Sequence, residues 1–178
     1  MTREQLEHLI RVASDIAADD EIVIIGSQAI LGQFPDAPAS LRVSVEADVY
    51  PKNRPERADL IDGSVGEGSP FHATYGYYAQ GVGPETAVLP AGWQERLLPV
   101  RNANTRGATG WCLEIHDLAV AKVAAGREKD AEFLREAARH GLVHEATLLD
   151  RLAETQLDDA HRAVVRNRIF AAFRSAAP

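Results

Sequence analysis

Apolar and polar residues alternate along this chain with two periods, and the change between them divides it. Over residues 2–18 the stripe Leu6, Ile10, Val12, Ala13 and Ile16 recurs at helical spacing. Thr2 and Gln5 form a capping box at its start. Ile22 to Ile25 is a short apolar run, predicted as a first strand, and a short helix follows from Ser27 to Gln33 until the Pro35–Pro38 region stops it. Leu41 to Tyr50 is predicted as a second strand, with Val43, Val45, Ala47 and Val49 on its apolar face and Pro51 at its end. A helix is expected over Arg54–Asp62, with Pro55 in its first turn. Residues 63–104 are rich in Gly, Pro and aromatics; Phe71, Tyr75, Tyr77 and Tyr78 mostly pack a small sheet in this reading. Strands are expected near 97–100 and 110–115. From Asp117, read as a cap, the pattern turns helical over 117–125, 128–140, 145–153 and 158–174, with Gly126 and Gly141 between pieces. The expectation is an α+β chain: a small mixed sheet flanked by helices (1–116) and a helical C-terminal part (117–178). No Ser- or Pro-rich linker divides them, so the two are expected to share one core.

Composition narrows the picture. A chain of 178 residues, 46% hydrophobic and 25% charged, fits an ordinary globular protein. A net charge of −7 argues against a general nucleic-acid coat, though not against an RNA substrate held by a local basic patch. Cys112 is the single cysteine, which excludes an internal disulfide or multi-cysteine zinc site and suits a reducing cytoplasm. No signal-peptide pattern and no membrane-spanning apolar run is apparent. His140 and His144 have helical spacing, but Gly141 between them makes a surface turn the better reading.

Two clusters carry chemistry. Glu46 and Asp48 stand two residues apart on the second strand, so both side chains project from one side. Neighbouring carboxylates repel unless a proton or cation lies between them, and a hard divalent ion is the usual resident. The same pattern also suits a solvated strand face. Gly26-Ser27, at a strand-to-helix turn, offers backbone N–H groups and a hydroxyl to a phosphate, or an ordinary cap to the helix. In the second cluster, Lys122 lies within the apolar helix Leu118–Ala125, where it snorkels to solvent or points into a polar cavity. Arg127 and Asp130 follow at the next helix start; Asp130 can simply complement the helix dipole, or Lys122 and Arg127 can grip the phosphates of a nucleotide while Asp130 polarises a donor or orients the lysine.

Taken as a set, Gly26-Ser27, Glu46-Ala47-Asp48, Asp117-Leu118 with Lys122, and Arg127-Glu128-Lys129-Asp130 resemble the polymerase-beta-like nucleotidyltransferase superfamily, closest to the bacterial AbiEii/MenT group that includes toxins of toxin–antitoxin systems. Leu89-Pro90-Ala91-Gly92-Trp93 with Arg96 fits small members of that group. The resemblance implies a nucleotidyltransferase-type sheet and Mg2+ on Glu46 and Asp48. It implies a nucleoside triphosphate held by Gly26, Ser27, Lys122 and Arg127, with Glu46, Asp48, Lys122 and Asp130 as catalytic residues. The acceptor it implies is an RNA (a tRNA end included) or a protein hydroxyl, with a cognate antitoxin as partner. The usual acidic pair is Asp-x-Asp, and Glu46 departs from it. That departure motivates the alternative of an inactive nucleotidyltransferase fold acting as a binding or regulatory protein. A structural protein with an acidic surface is the third reading.

Overall fold

Four consecutive apolar side chains cannot alternate between core and solvent, so the run from Ile22 to Ile25 demands burial on both faces. Strand β1 (Glu21–Ile24) accordingly lies at the centre of a five-stranded sheet ordered β3-β2-β1-β5-β4 in the computed structural model, which describes residues 1–176. β1 pairs antiparallel with β2 (Glu46–Pro51) and parallel with β5 (Thr109–Cys112). The outer strands are β3 (Tyr78–Gly81), parallel to β2, and β4 (Leu98–Val100), antiparallel to β5. The expected class, a small mixed sheet flanked by helices with a helical C-terminal part, is what the chain forms.

The chain divides into two compact units, Met1–Thr86 with Leu97–Leu113, and Ala87–Arg96 with Glu114–Pro178. In the sheet unit, helix α1 (Arg3–Ala17) starts on the expected capping box: Gln5 N donates to Thr2 Oγ1 at 3.3 Å and Thr2 N to Gln5 Oε1 at 2.7 Å. Its Leu6, Leu9, Ile10, Ala13 and Ala17 are buried. A Cβ at Gly110 would lie 2.3 Å from Ile10 Cδ1, so the glycine is what lets α1 settle against β5. Between β2 and β3 run α3 (Ala58–Val65) and α4 (Pro70–Tyr75), the crossover that a parallel pair requires. Short α2 (Ile30–Gln33) follows β1.

Strand β2 begins later than the pattern suggests. Val43 and Val45 are 79% and 45% exposed and lie outside the strand. The cause is the end of β1: Ile25 N donates to Asp48 O, and the chain then turns at Gly26. Residues before Asp48 therefore have no β1 partner, β3 alone carries the strand back to Glu46 through Tyr78, and the Gln28 side chain takes Ser44 O, at 3.0 Å.

The helical unit is built around α5 (Ile115–Ala125), buried continuously from Ile115 to Ala124. Helices α6 (Glu128–Arg139), α7 (Glu145–Ala153) and α8 (Asp159–Ala176) pack on it. Its cap is Glu114, not Asp117 as expected: the Glu114 carboxylate accepts from His116 N at 3.0 Å. Asp117, wholly buried in the first turn, does something else. Arg96 grips it with two bonds of 2.8 and 3.0 Å, and Arg151 lies 3.1 Å from Oδ1. This clamp ties segment 87–96 to the helices, helped by the Pro90–Thr155 bridge and by Ala91 N donating to Glu154 O. His116 joins α5 to α7 in the same way: its Nε2 accepts from His144 N at 3.1 Å, so the ring hydrogen sits on Nδ1, 2.7 Å from Glu114.

Replacing Asp117 by Ala removes the one acid paired with Arg96 among the described residues and leaves Arg151 with Glu154 alone. The expected loss is about 3 kcal/mol of stability, a typical value for breaking a buried pair. Urea unfolding followed by helical circular dichroism checks it; a variant as stable as wild type would show the clamp to be energetically idle.

Candidate active site

The sheet unit brings four of the sequence-predicted residues together: Gly26, Ser27, Glu46 and Asp48. Glu46 and Asp48 occupy alternate positions of β2 and are both half-buried. Asp48 lies against the turn that ends β1. A Cβ built on Gly26 would sit 2.0 Å from Asp48 Oδ2 and 2.8 Å from its Cγ, so no other residue fits without displacing the carboxylate. The φ of Gly26 is −83°, a value any residue adopts, so the demand is for space alone. Ser27 does not cap through its side chain as the sequence suggested; it is the first residue of a 3-10 turn, Ser27–Ala29, that Gly26 caps. Gln28, in the same turn, is fully buried, and its Oε1 has no hydrogen-bond partner among the described residues.

Glu46 is placed from the neighbouring strand. It is in register with Tyr78, whose hydroxyl donates to Glu46 Oε2 at 3.2 Å. Burial, then the charge and hydrogen bond of Glu46 with the Glu67 and Asp48 charges, pushes the Tyr78 hydroxyl up to about 12. Tyr78 thus remains a donor at any physiological pH. The His72 ring packs against it, with centroids 4.6 Å apart. Glu46 forms no salt bridge with a described residue, which leaves most of its acceptor capacity open. Of the aromatic group, Phe71, Tyr75 and Tyr77 pack with His8 of α1, Phe71 and Tyr75 from helix α4 and not from a strand or loop of the sheet as expected; Tyr78 alone turns to the acidic pair.

Among the described residues, no group of three or more His, Cys, Asp or Glu side chains is arranged to hold a metal ion. Two carboxylates nevertheless suit magnesium, which takes one or two from a protein and fills its shell with water and phosphate oxygens. The hard-oxygen donor set and the cradle that a Cβ at position 26 would fill both fit such an ion.

The helical unit holds the other three predicted residues in one buried knot. Lys122 is 7% exposed and does not snorkel: its Nζ lies 3.3 Å from Asp130 Oδ1 and 4.9 Å from the centre of the Phe133 ring. Arg127 Nε donates to Asp130 Oδ2 at 2.7 Å, and the Arg127 side chain is 59% exposed. Asp130 itself has no exposed surface. Burial raises its pKa, but the Arg127 hydrogen bond and the Lys122 and Arg127 charges outweigh that and leave it below its ordinary value. Asp130 is thus enclosed with both carboxylate oxygens engaged, one by Lys122 and one by Arg127, which fixes the position of those two side chains. Cys112 is buried with its thiol pushed up to about 12, which excludes it as a nucleophile.

Sequence reasoning missed Tyr78 as a support for Glu46, and it missed the roles of Arg96 and Arg151 on Asp117. Each partner lies more than twenty residues away, and only the sheet register or the helix packing brings it in.

A mixed sheet with flanking helices, two carboxylates beside a Gly-Ser turn and a helical C-terminal part define an α+β protein of the nucleotidyltransferase type. The chain belongs to the family described as nucleotidyltransferase of unknown function (DUF6036), whose model matches residues 4–173. That match carries the nucleotidyltransferase class and does not extend to the AbiEii/MenT group. No curated protein and no solved structure matches the chain. Among the described residues, no helix is long and apolar enough to cross a membrane.

Two outcomes are expected. A depressed carboxyl pKa contributes stability that is fully present above its unfolded value, 3.8 for Asp130, and is lost as pH falls through the lower folded value. Acid titration of wild type should therefore show a loss below about pH 4 that is smaller in Asp130→Asn, whereas identical acid profiles would remove Asp130 as the source. Gly26→Ala should expel the Asp48 carboxylate with the fold retained; calorimetric titration with Mn2+ of wild type and variant checks whether the acidic pair takes a cation there, the expected outcome being binding weakened about tenfold in the variant, and unchanged affinity would detach position 26 from any cation bound.

Proposed function

We propose that this protein is a magnesium-dependent nucleotidyltransferase that moves a nucleoside monophosphate from a nucleoside triphosphate to a hydroxyl acceptor, an RNA 3′ end before a protein side chain. The observation that carries the reading is the pair Glu46 and Asp48 on one side of β2, one carboxylate steadied by Tyr78 and the other pressed against Gly26. Glu46 and Asp48 would hold the metal, which when bound supplies charge neutralisation between the triphosphate and the attacking hydroxyl. The turn at Gly26 and Ser27 presents backbone N–H groups suited to phosphate oxygens. In the helical unit, Asp130 orients Lys122 and Arg127, and the exposed Arg127 guanidinium has the fork geometry that suits a phosphate. Positioning and electrostatics supply most of the rate in such reactions, so fixed donors and fixed carboxylates are what the chemistry asks of the protein. The motif set that resembles AbiEii/MenT supports a role as the toxin of a toxin–antitoxin pair in the bacterial cytoplasm, with the antitoxin as partner.

A second reading has one observation behind it. The first acid is Glu46, and one of its oxygens is engaged by Tyr78, as suits a retained fold that binds nucleotide without turning it over.

One experiment separates them. Wild type with magnesium and each labelled ribonucleoside triphosphate should transfer label to RNA, and Asp48→Asn should lower the rate by at least about a thousandfold, the scale of losing an essential electrostatic element. Magnesium-dependent nucleotide binding without transfer favours the inactive fold. Transfer at the wild-type rate by Asp48→Asn sinks the mechanism.

A further inference from the structure

We propose that the helical unit carries a second anion site, distinct from the residues discussed above, which takes the phosphate of a nucleotide. A cavity of about 130 Å³ opens between α5, α6 and α8. Its floor is apolar, with Val123, Leu134 and Ala172, and its polar lining includes Arg135 and Arg168.

Charge selects the ligand. Arg96, Arg127, Arg139 and Arg151 of this unit each pair with an acid. Arg135 and Arg168 face the cavity and neither forms a salt bridge with a described residue. Arg168 has one structural duty: its Nη1 donates to Val123 O at 2.8 Å, covering a terminal carbonyl of α5. Its guanidinium lies where a side chain on Gly126 would be, with a built Cβ only 2.2 Å from Nη1. The group is thereby pinned at the cavity wall, and its remaining N–H groups have no partner among the described residues. Arg135 makes no hydrogen bond or salt bridge with a described residue. The surroundings reinforce the sign: from Ala160 to Pro178 the sequence holds four arginines and no acid, in a chain of net charge −7. Ser175 Oγ already donates to Ala171 O, so the donors here are the two guanidinium forks. Their partner must be rich in acceptors and negatively charged, and a phosphate meets both demands. The apolar floor suits the base or ribose attached to it.

The choice of a nucleotide phosphate rests on the nucleotidyl-transfer reading; the anion site itself does not. The nucleotide has two sources, a strand or the free monomer. The test is fluorescence anisotropy with a labelled oligouridylate, wild type against Arg135→Glu and Arg135→Gln, over a salt series, with uridine monophosphate as competitor. Arg135 is exposed, so both variants should fold, and thermal melting verifies it. The expected result is binding that Arg135→Glu weakens about tenfold, with the salt slope reduced by about one, as for loss of a phosphate contact. Competition by the monophosphate in wild type but not in the variants assigns the free nucleotide; its absence assigns the strand. No binding of either ligand, or equal binding by the variants, overturns the proposal. Arg135-dependent binding in a protein that transfers nothing would leave this site standing and remove the proposed activity; transfer without Arg135-dependent binding would do the reverse.

Discussion

The approach of the Asp48 carboxylate to Gly26 is the constraint on which the sheet unit depends. It requires the end of β1 and the middle of β2 to pass with no side chain between them. That passage sets where β1 stops, since Ile25 N makes the last ladder bond to Asp48 O before the chain turns. The stop in turn leaves the first residues of β2, Glu46 and Ala47, in register with β3 alone, and Val49 is the first with a strand partner on each side. A strand that began at Leu41, as the alternating valines suggest, would find neither β1 beside it, because the chain turns at Gly26, nor β3, whose pairing begins at Tyr78 opposite Glu46. The chain keeps the turn and leaves Val43 and Val45 in solvent.

Buried acids elsewhere in the molecule show what a structural carboxylate looks like. Glu7 is held by Asn102, Asn104 and Arg3, and Asp19 by Asn53 and the backbone of Glu21. Asp117 and Asp130 each hold two cations. All four are saturated, which is the condition for burying a charge without a large penalty. Glu46 differs, with one neutral donor and only partial burial. A carboxylate positioned but not satisfied is what a ligand site needs and what a structural site avoids.

Features fixed by local spacing were legible in the sequence: the Thr2–Gln5 capping box, the Gly126 and Gly141 breaks, the shared side of Glu46 and Asp48, and the mixed sheet with its helical sequel. What escaped was fixed by contacts distant along the chain. Val43 and Val45 read as strand because period-two alternation says nothing about whether a partner strand extends that far. Asp117 read as a cap because acids favour the first helical turn, while its two arginines lie 21 and 34 residues away. Lys122 read as snorkelling or cavity-lining, and its burial follows from Asp130, eight residues on across the Gly126 turn. The pairing of Arg127 with Asp130 was within reach, because three residues is one helical turn.

Glu46 is where the chain departs from the usual acidic pair, and the structure supplies a physical response to it. A glutamate carries one more rotatable bond than an aspartate, so its carboxylate samples more positions, which suits a geometrically strict ion such as magnesium poorly. Restoring the constraint takes a donor on a rigid element at the right height. Parallel pairing of β2 with β3 puts Tyr78 directly opposite Glu46, and the crossover through α4 sets the His72 ring against the tyrosine. The tyrosine is 7% exposed and stays protonated, so it restrains the carboxylate without adding a charge that would compete with a cation. Burial and packing on one side and a single neutral hydrogen bond on the other replace the shorter arm. β3 thus holds the longer acid, and the hydrogen bond that engages one oxygen of Glu46 also fixes the direction of the other.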